Sequence, residues 1–292
     1  MSALAAFSVT ALLGFACLAL SSPAPAVGMD APVRRTELPA PDTGRVEQFT
    51  LHDSSYGRDR KVWVYTPPGY DRRRSSPYPL IAAFDGAEYQ DDMPLPSILD
   101  LLLSSGAAPA FIAVLIDDSG GAERIADLGN VAKMPEFLGR QLIPWLRRGW
   151  NVTHDPHRTI ITGSSAGGLG AAYVAFMLPG IFGNVHSQSG AFWRGAEASN
   201  DAPWEWLTAQ FSKSARKDIR IWMEVGSGED HPTLGGRGPN FLAANRRLRD
   251  ALKKKGYDLT YFEIPGGNHA PRWWKPRLPV GITGLSGGWS KP

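Results

Sequence analysis

Cysteine is the scarcest residue in this chain, with one, Cys17, among 292 residues. A disulfide needs two cysteines, so no intrachain disulfide framework can hold the protein together. A hydrophobic core must do so instead, and the chain is long enough to bury one in a single domain.

Charged residues are missing from positions 1–26, and the whole chain carries a formal net charge of only +3. A nucleic-acid-binding protein is typically far more basic and carries a dense basic patch. We therefore expect no nucleic-acid partner. The mild positive excess is compatible with an anionic small molecule.

Long apolar runs are confined to the N-terminus, where residues 4–20 are almost wholly apolar. They precede Ala24-Pro25-Ala26, an A-x-A pattern typical of a cleavage site. We predict a signal peptide over residues 1–26 and a periplasmic or secreted protein, although no Lys or Arg precedes the run. The alternatives are a retained membrane anchor, which usually needs about 20 residues, and lipidation at Cys17. Residues 27–45, rich in Pro, Ala and charge, predict a flexible leader.

Beyond this leader, apolar strand-like runs alternate with helical patterns. Such alternation is typical of a mostly parallel sheet with helices on both faces. The sequence therefore predicts one α/β domain, an α/β-hydrolase fold, over residues 46–292. The predicted strands are 61–65, 80–84, 111–117, 159–162, 183–187, 220–225 and 259–264, and the predicted helices are 96–103, 135–147, 166–177 and 239–254.

A sharp turn is predicted after the strand 159–162. The chain there continues as Gly163-Ser164-Ser165-Ala166-Gly167, a Gly-x-Ser-x-Gly pattern followed by small residues. This is the signature of a nucleophile elbow, a strained strand-to-helix turn that exposes a serine hydroxyl. Ser165 is the candidate nucleophile because only this serine has glycine at both −2 and +2.

A serine nucleophile needs a general base, which is oriented in turn by a third group. In α/β-hydrolases the three follow the chain order serine, acid, histidine, each after a strand. His269 follows the last predicted strand and is the candidate base. Glu229 and Asp230 both follow the strand 220–225, and their positions alone do not decide which is the acid.

A tetrahedral intermediate also needs two backbone N–H donors aimed at its oxyanion. Ala166 directly follows the candidate nucleophile and supplies the first. The second is expected in the loop after the strand 80–84, where Ala87 is preferred and Gly86 is the alternative.

No metal or other cofactor is expected. Pro156 breaks any helical spacing between His154 and His157, so this segment is a poor metal site. The segment Glu229-Asp230-His231 fits a triad acid better than a chelating cluster.

Several further motifs between residues 46 and 287 accompany the elbow. They are Val62-Trp63-Val64-Tyr65-Thr66-Pro67, Phe84-Asp85-Gly86-Ala87-Glu88-Tyr89, Phe182-Gly183-Asn184-Val185-His186-Ser187-Gln188-Ser189-Gly190, Phe192-Trp193, Asn245-Arg246-Arg247-Leu248, Gly266-Gly267-Asn268-His269 and Trp273-Trp274-Lys275. With them the chain resembles the enterochelin (enterobactin) esterase family, within the esterase D-like α/β-hydrolases. It departs from the family pattern at Asn268, which is inserted before the histidine, and at Lys275, where the family usually has arginine.

This resemblance implies hydrolysis of the ester bonds of a catecholate siderophore trilactone, ferric or iron-free, and it favours Glu229 over Asp230 as the acid. The chain looks more like the periplasmic trilactone hydrolases than the cytoplasmic members.

A catecholate ligand favours aromatic walls and cations. The candidate substrate-binding residues on loops at the expected site are Trp193, Arg194, Trp273, Trp274 and Lys275.

The predicted function is thus an exported serine esterase that works through an acyl-enzyme. A broad carboxylesterase or acyltransferase acting on other acyl esters is the first alternative. A siderophore-binding protein with a vestigial triad, suggested by the Asn268 insertion, is the second. The sequence indicates no oligomeric state.

Overall fold

The computed structural model describes residues 43–118, 120–129 and 132–289, with the side chains of residues 121 and 122 excepted. The predicted signal peptide and nearly all of the predicted leader lie outside these residues. The described residues form one compact unit. In the described ranges no helix is both long enough and apolar enough to cross a membrane.

Eight strands of the described residues form one sheet, in the order β1-β2-β4-β3-β5-β6-β7-β8. The pairs from β4 through β3 to β8 are parallel, whereas β1 with β2 and β2 with β4 are antiparallel. The strands are β1 Arg45–Asp53, β2 Arg58–Thr66, β3 Leu80–Ala83, β4 Ile112–Ile116, β5 Thr159–Ser164, β6 Asn184–Gln188, β7 Arg220–Gly226 and β8 Asp258–Ile264.

Helices connect most of the parallel strands. The α-helices are α1 Gly86–Gln90, α2 Leu95–Ser104, α3 Gly121–Gly129, α4 Lys133–Glu136, α5 Ile143–Gly149, α6 Ala166–Met177, α7 Trp206–Lys213, α8 Phe241–Lys254, α9 Pro271–Trp274 and α10 Leu278–Ser286. A π-helical stretch, Phe137–Leu142, joins α4 to α5, and short 3-10 turns cover Pro156–Arg158, Ala196–Ala198, Leu234–Gly236 and Lys275–Arg277.

The sheet separates two hydrophobic cores because side chains of a strand alternate between its faces. In β5, Ile161 packs with one core and Ile160 with the other. The first core includes residues of α5, α6 and α8, and the second includes residues of α2 and α10. Helices therefore cover both faces of a mostly parallel sheet, as the sequence predicts.

All the predicted strands are present, with shifts of up to three residues at their ends, and α6 has the predicted bounds. The sequence did not predict β1, which begins at Arg45, the last residue of the predicted leader. The carboxyl ends of β3, β5, β7 and β8 lie at one edge of the sheet, and the candidate catalytic residues follow these ends.

Candidate active site

The turn between β5 and α6 holds Ser165 in a strained backbone conformation. Its φ of 57° and ψ of −119° are unusual for a residue other than glycine and cost about 1–3 kcal/mol. A Cβ at Gly163 would lie 2.5 Å from the backbone of Gly167. A Cβ at Gly167 would lie 2.7 Å from Oδ2 of Asp85. The glycines of the motif are thus required by close packing, and the turn has the geometry of a nucleophile elbow.

The structure brings Ser165, His269 and Glu229 into one hydrogen-bonded chain. Oγ of Ser165 lies 2.8 Å from Nε2 of His269, and Nδ1 of the same ring lies 2.7 Å from Oε2 of Glu229. These contacts suit a neutral imidazole that donates its Nδ1 proton to the carboxylate and accepts at Nε2 from the serine hydroxyl. The arrangement can remove a proton from Ser165 and hold the resulting imidazolium beside a negative charge.

The Glu229 carboxylate is fixed by further donors, and its side chain is only 2% exposed. Its Oε1 accepts hydrogen bonds from Oγ of Ser189 at 2.6 Å and from the backbone N–H of Gly226 at 2.8 Å. Nε1 of Trp274 donates to the same Ser189 hydroxyl at 2.9 Å. Burying a carboxylate costs free energy, and hydrogen bonds to its oxygens, such as these, offset that cost. Ser189 is not among the predicted site residues, and the available signal for it was its position at the carboxyl end of β6.

The neighbouring acid points elsewhere. The Asp230 side chain is 59% exposed and lies 3.8 Å from Nε2 of His231, while its backbone carbonyl accepts from Nδ2 of Asn240 at 2.9 Å. Of the two acids that the sequence left open, Glu229 is the one in contact with His269.

Two aromatic side chains flank the His269 ring. The centroid of Phe241 is 4.3 Å away, and that of Trp274 is 5.0 Å away in an edge-on arrangement at 88°. Trp274 therefore packs against the ring of His269 and, through its hydrogen bond to Ser189, also helps to hold the Glu229 carboxylate.

The predicted oxyanion donors lie in the first turns of two helices. Ala166 is the first residue of α6, and Gly86 and Ala87 are the first two residues of α1. N–H groups in the first turn have no acceptor within their own helix and suit a negative oxygen. Ala87 lines the same cavity as Ser165, whereas Gly86 is buried, and a Cβ there would lie 2.8 Å from the ring of Trp63.

An ion pair between a buried carboxylate and a partly exposed guanidinium connects the two helix starts. Asp85, in the left-handed conformation before α1, pairs with Nε and Nη2 of Arg124. Nη2 of Arg124 also donates to the carbonyl of Ser164 at 3.3 Å, and Nε lies 3.6 Å from Oδ2 of Asp118. Burial, and next the Asp85 carboxylate, raise the pKa of Asp118 to about 8. Neither Arg124 nor Asp118 is among the predicted site residues.

A cavity of about 540 Å³ opens over Ser165. This volume is within the range of small-molecule sites. The residues that line it are Ala87, Glu88, Asp91, Asp92, Arg124, Ser164, Ser165, His269, Pro271 and Trp274.

Of the predicted substrate-binding residues, Trp274 lies on the wall of this cavity and the other four do not. Trp193 is 3% exposed and packs in the core against Trp204 and Phe241. The Arg194 guanidinium lies 4.6 Å over the Trp193 ring and donates to the carbonyl of Ala198 at 2.8 Å.

The remaining two candidates surround the short helix α9. Trp273 lines a small separate pocket together with Arg277, and Lys275 is exposed. Neither Arg194 nor Lys275 is therefore among the residues that line the cavity over Ser165.

Within the described residues, no group of three or more His, Cys, Asp or Glu side chains could hold a metal ion. Nε2 of His157 pairs instead with Asp218 at 3.4 Å.

His186 and Glu224 form a second histidine–carboxylate contact of 3.2 Å, which is fully buried and separate from Ser165. The hydrogen bonds of the His186 ring, to Thr162 and Glu224, do not involve Ser165.

A family model described as a putative esterase matches residues 54–285 of the chain. The chain belongs to this esterase family. An iron(III) enterobactin esterase of Dickeya dadantii (strain 3937) is 31% identical over 264 residues, which are 86% of this chain and 57% of that protein. An iron(III) salmochelin esterase of Escherichia coli O6:H1 is 27% identical over 242 residues, 79% of this chain and 55% of that protein. The chain thus spans little more than half the length of these relatives.

Solved structures of esterases share the fold. An enterobactin esterase from Shigella flexneri, crystallised in the presence of enterobactin, matches with a TM-score of 0.71 and 24% identity, over 82% of this chain and 59% of that one. A feruloyl esterase module from Clostridium thermocellum matches with a TM-score of 0.65 and 16% identity, over 87% of this chain and 92% of that one. These similarities confirm the predicted α/β-hydrolase fold, and the family match confirms the predicted enterochelin esterase-like resemblance.

Proposed function

We propose that this member of the esterase family is an exported serine esterase that cleaves its substrate through an acyl-enzyme on Ser165. The observation that carries the proposal is the continuous hydrogen-bonded chain from Ser165 through His269 to Glu229. Such a chain supplies the base that a serine hydroxyl lacks at neutral pH.

The reaction begins when Oγ of Ser165 attacks the ester carbonyl while Nε2 of His269 takes its proton. Glu229 stabilises the imidazolium, and the N–H groups of Ala166 and Ala87 donate to the oxyanion of the tetrahedral intermediate. His269 then gives its proton to the departing alkoxide. A water molecule, deprotonated by the same imidazole, attacks the acyl-enzyme; the bond to Oγ of Ser165 then breaks, His269 returns the proton to this oxygen, and the acid is released. No cofactor takes part in these steps.

We propose a catecholate siderophore trilactone as the substrate. Support comes from the relatives, which are named as iron(III) enterobactin and salmochelin esterases, and from the aromatic Trp274 on the cavity wall. Iron would belong to the substrate. Export is proposed from the sequence pattern of residues 1–26.

A broad carboxylesterase is the second candidate function. It is favoured by one observation, namely that neither predicted cationic contact, Arg194 or Lys275, lines the cavity.

The test is mass spectrometry of the products from cyclic catecholate trilactones, with and without iron, beside simple aryl and sugar esters. We expect linear catecholate esters from the trilactone. Ser165→Ala should lower kcat by about 10⁵-fold, whereas Ser212→Ala, on the exposed surface of α7, should not change it. Full activity in Ser165→Ala would disprove the serine mechanism, and exclusive turnover of simple esters would favour the second candidate.

A further inference from the structure

A second carboxylate, Glu224 of β7, is buried and takes no part in the proposed reaction. Its side chain is only 2% exposed. Nε2 of His186 lies 3.2 Å from its Oε1, Nε2 of Gln188 donates to the same oxygen at 2.8 Å, and Nε of Arg277 donates to its Oε2 at 2.8 Å. Because both oxygens are hydrogen-bonded, the cost of burying this carboxylate is offset and its orientation is fixed.

The charge of Glu224 follows from these contacts. Nδ1 of His186 lies 3.1 Å from Oγ1 of Thr162, which suits a neutral imidazole that accepts from the Thr162 hydroxyl and donates from Nε2 to Glu224. Burial acts to raise the pKa of Glu224, but the hydrogen bonds from His186 and Arg277 outweigh it and lower the pKa. Glu224 is therefore ionised at neutral pH, and Arg277 supplies its counter-charge.

Glu224 attaches the short helix α9 to the sheet. Arg277 lies in the 3-10 turn that directly follows this helix. Nε2 of the buried Gln188 donates to Glu224 and also, at 2.8 Å, to the carbonyl of Trp274, the last residue of α9. A helix of four residues is too short to be stable by itself. Its position therefore depends on such tertiary contacts.

The helix α9 in turn supports the catalytic groups. The Trp274 indole donates to the hydroxyl of Ser189, which donates to Glu229, and the same ring packs edge-on against His269. The backbone N–H of Ser189 donates to the carbonyl of Glu224 at 2.7 Å. A continuous set of contacts thus leads from Glu224 to the acid and the base.

We infer that Glu224 is a positioning residue: it anchors α9 and thereby keeps the Trp274 indole against the catalytic acid and base. This inference rests on the proposed function, in which Glu229 and His269 have these two roles. A displacement of about 1 Å in a catalytic group can lower the rate by about 100-fold. Loss of the anchor should therefore lower kcat rather than weaken substrate binding.

The first variant is Trp274→Phe, which keeps an aromatic ring and removes the N–H that donates to Ser189. With phenyl acetate we expect kcat to fall by about tenfold. KM should stay within about twofold, because His269 acts in both acylation and deacylation and the two steps should slow together. The matched control is Trp222→Phe. This indole is also buried, two residues before Glu224, and its Nε1 makes no hydrogen bond within the described residues. The control should keep kcat within about twofold of the wild type.

The second variant, Arg277→Met, removes the counter-charge of Glu224. The Arg277 side chain is 27% exposed, so the chain should still fold, and kcat should fall by about tenfold. Arg277→Lys can still donate to Glu224 and should keep kcat within about threefold of the wild type. The matched control is Arg220→Met, at the amino end of the same strand, where the arginine is 35% exposed and pairs with Asp258. This control should change kcat by less than about twofold.

The double variant Trp274→Phe/Arg277→Met tests whether the two residues act along one path. If they do, the combined loss should be about that of one substitution, whereas independent losses would multiply to about 100-fold. A multiplied loss would overturn the inference.

Proton NMR separates this inference from the proposed function, because it needs no turnover. It follows the Nδ1 proton of His269, which lies in the contact with Glu229 and is assigned by its absence in His269→Gln. We expect Trp274→Phe and Arg277→Met to shift this resonance and speed its exchange with water, and both controls to leave it unchanged.

The outcomes then differ. If Ser165→Ala stays active while the resonance responds as expected, the proposed function fails and the positioning of His269 and Glu229 stands. If Ser165→Ala is inactive but Trp274→Phe and Arg277→Met match their controls in kcat and in the resonance, the proposed function stands and the inference is overturned.

Discussion

At the scale of single residues, the acid of the site is defined by its hydrogen bonds. One oxygen of Glu229 contacts His269, and the other accepts from Ser189 and from the backbone of Gly226. Asp230 has none of these contacts and is mostly exposed. Adjacent acids of the same charge therefore have different environments, and their substitution should have different consequences.

Glu229→Gln is expected to lower kcat by about 10³- to 10⁴-fold, because a neutral amide neither stabilises the imidazolium nor keeps the Nδ1 proton in place. Asp230→Asn, the matched control at the next position, should retain kcat within about twofold. Steady-state kinetics on an aryl acetate measure both. The reverse order of effects would assign the acid to Asp230 and contradict the geometry.

The sequence predicted Ser165 and His269 because motif and chain order are local properties that can be recognised before folding. It could not decide between Glu229 and Asp230 from the residues, because side-chain direction at the end of β7 depends on the packing of neighbouring strands. Ser189 was missed for the same reason, since its role exists only when β6 lies between β5 and β7. For Trp193, the position in the sequence indicated a loop near the site, but the structure places its ring in the hydrophobic core.

At the scale of secondary structure elements, Arg124 of α3 connects the start of α1 to the end of β5. It pairs with Asp85 before α1 and donates to the carbonyl of Ser164. The candidate oxyanion donors Ala87 and Ala166 follow these two points. These contacts therefore fix the start of α1 relative to the end of β5, and with them the two predicted oxyanion donors relative to each other.

Arg124→Ala is expected to destabilise the protein by about 3–5 kcal/mol, because it leaves the carboxylate of Asp85 buried without a counter-charge. Arg249→Ala, which removes an arginine from a surface pair with Asp250, should cost less than about 1 kcal/mol. Urea unfolding at neutral pH gives both values. A loss at Arg124 no larger than that at Arg249 would show that the pair with Asp85 contributes little.

The pH dependence of stability should report on Asp118, whose pKa in the folded protein is raised to about 8. Between the pKa of an unfolded aspartate, about 3.9, and this value, the unfolded state releases a proton that the folded state keeps. The contribution of Asp118 to wild-type stability therefore falls as the pH rises through this window, and this contribution changes no further above it.

Asp118→Asn removes this titration, so its stability relative to the wild type should increase from pH 4 to pH 8 and then level off. Each unit of pKa difference corresponds to about 1.4 kcal/mol, and we expect a change of at least that size. Unfolding free energies at pH 4, 6, 8 and 9 test this, with Asp218→Asn, a 78% exposed aspartate, as the control. A relative stability that is independent of pH would rule out the raised pKa.

The strands β2 to β8 and the helices α2, α5, α6 and α8 were predicted from the sequence, whereas the helices α3, α7 and α10 were not. The strands β3 and β4 are continuous apolar runs, and α8 alternates buried and exposed positions at helical spacing. The short helices α1 and α9 were not predicted, because four or five residues are too few for a periodic signal and are stabilised mainly by tertiary contacts. The strand β1 was missed because most of its residues are exposed or half-buried at the edge of the sheet.

At the scale of the whole molecule, β1 is the element that links the N-terminal part of the described chain to the core. It pairs with β2 along nine residues, Arg45–Asp53. The Phe49 ring packs edge-on at 5.3 Å from Trp145 and 5.4 Å from Trp150. The match to the esterase family model begins at residue 54 and so excludes this strand, although the structure builds it into the sheet.

Two truncated chains test whether β1 belongs to the folding unit. A chain that begins at Thr43 keeps β1 and should melt within about 2 °C of the full-length protein. A chain that begins at Ser54 lacks Phe49 and Leu51, whose burial contributes about 1.5–3 kcal/mol each when complete, and it exposes the edge of β2 to other chains. Because about 1 kcal/mol corresponds to 2–4 °C in a domain of this size, the chain from Ser54 should melt at least 6 °C lower or aggregate. Equal melting temperatures for the two truncated chains, measured by circular dichroism at the same concentration, would show that β1 is dispensable and that the family model marks the true boundary of the domain.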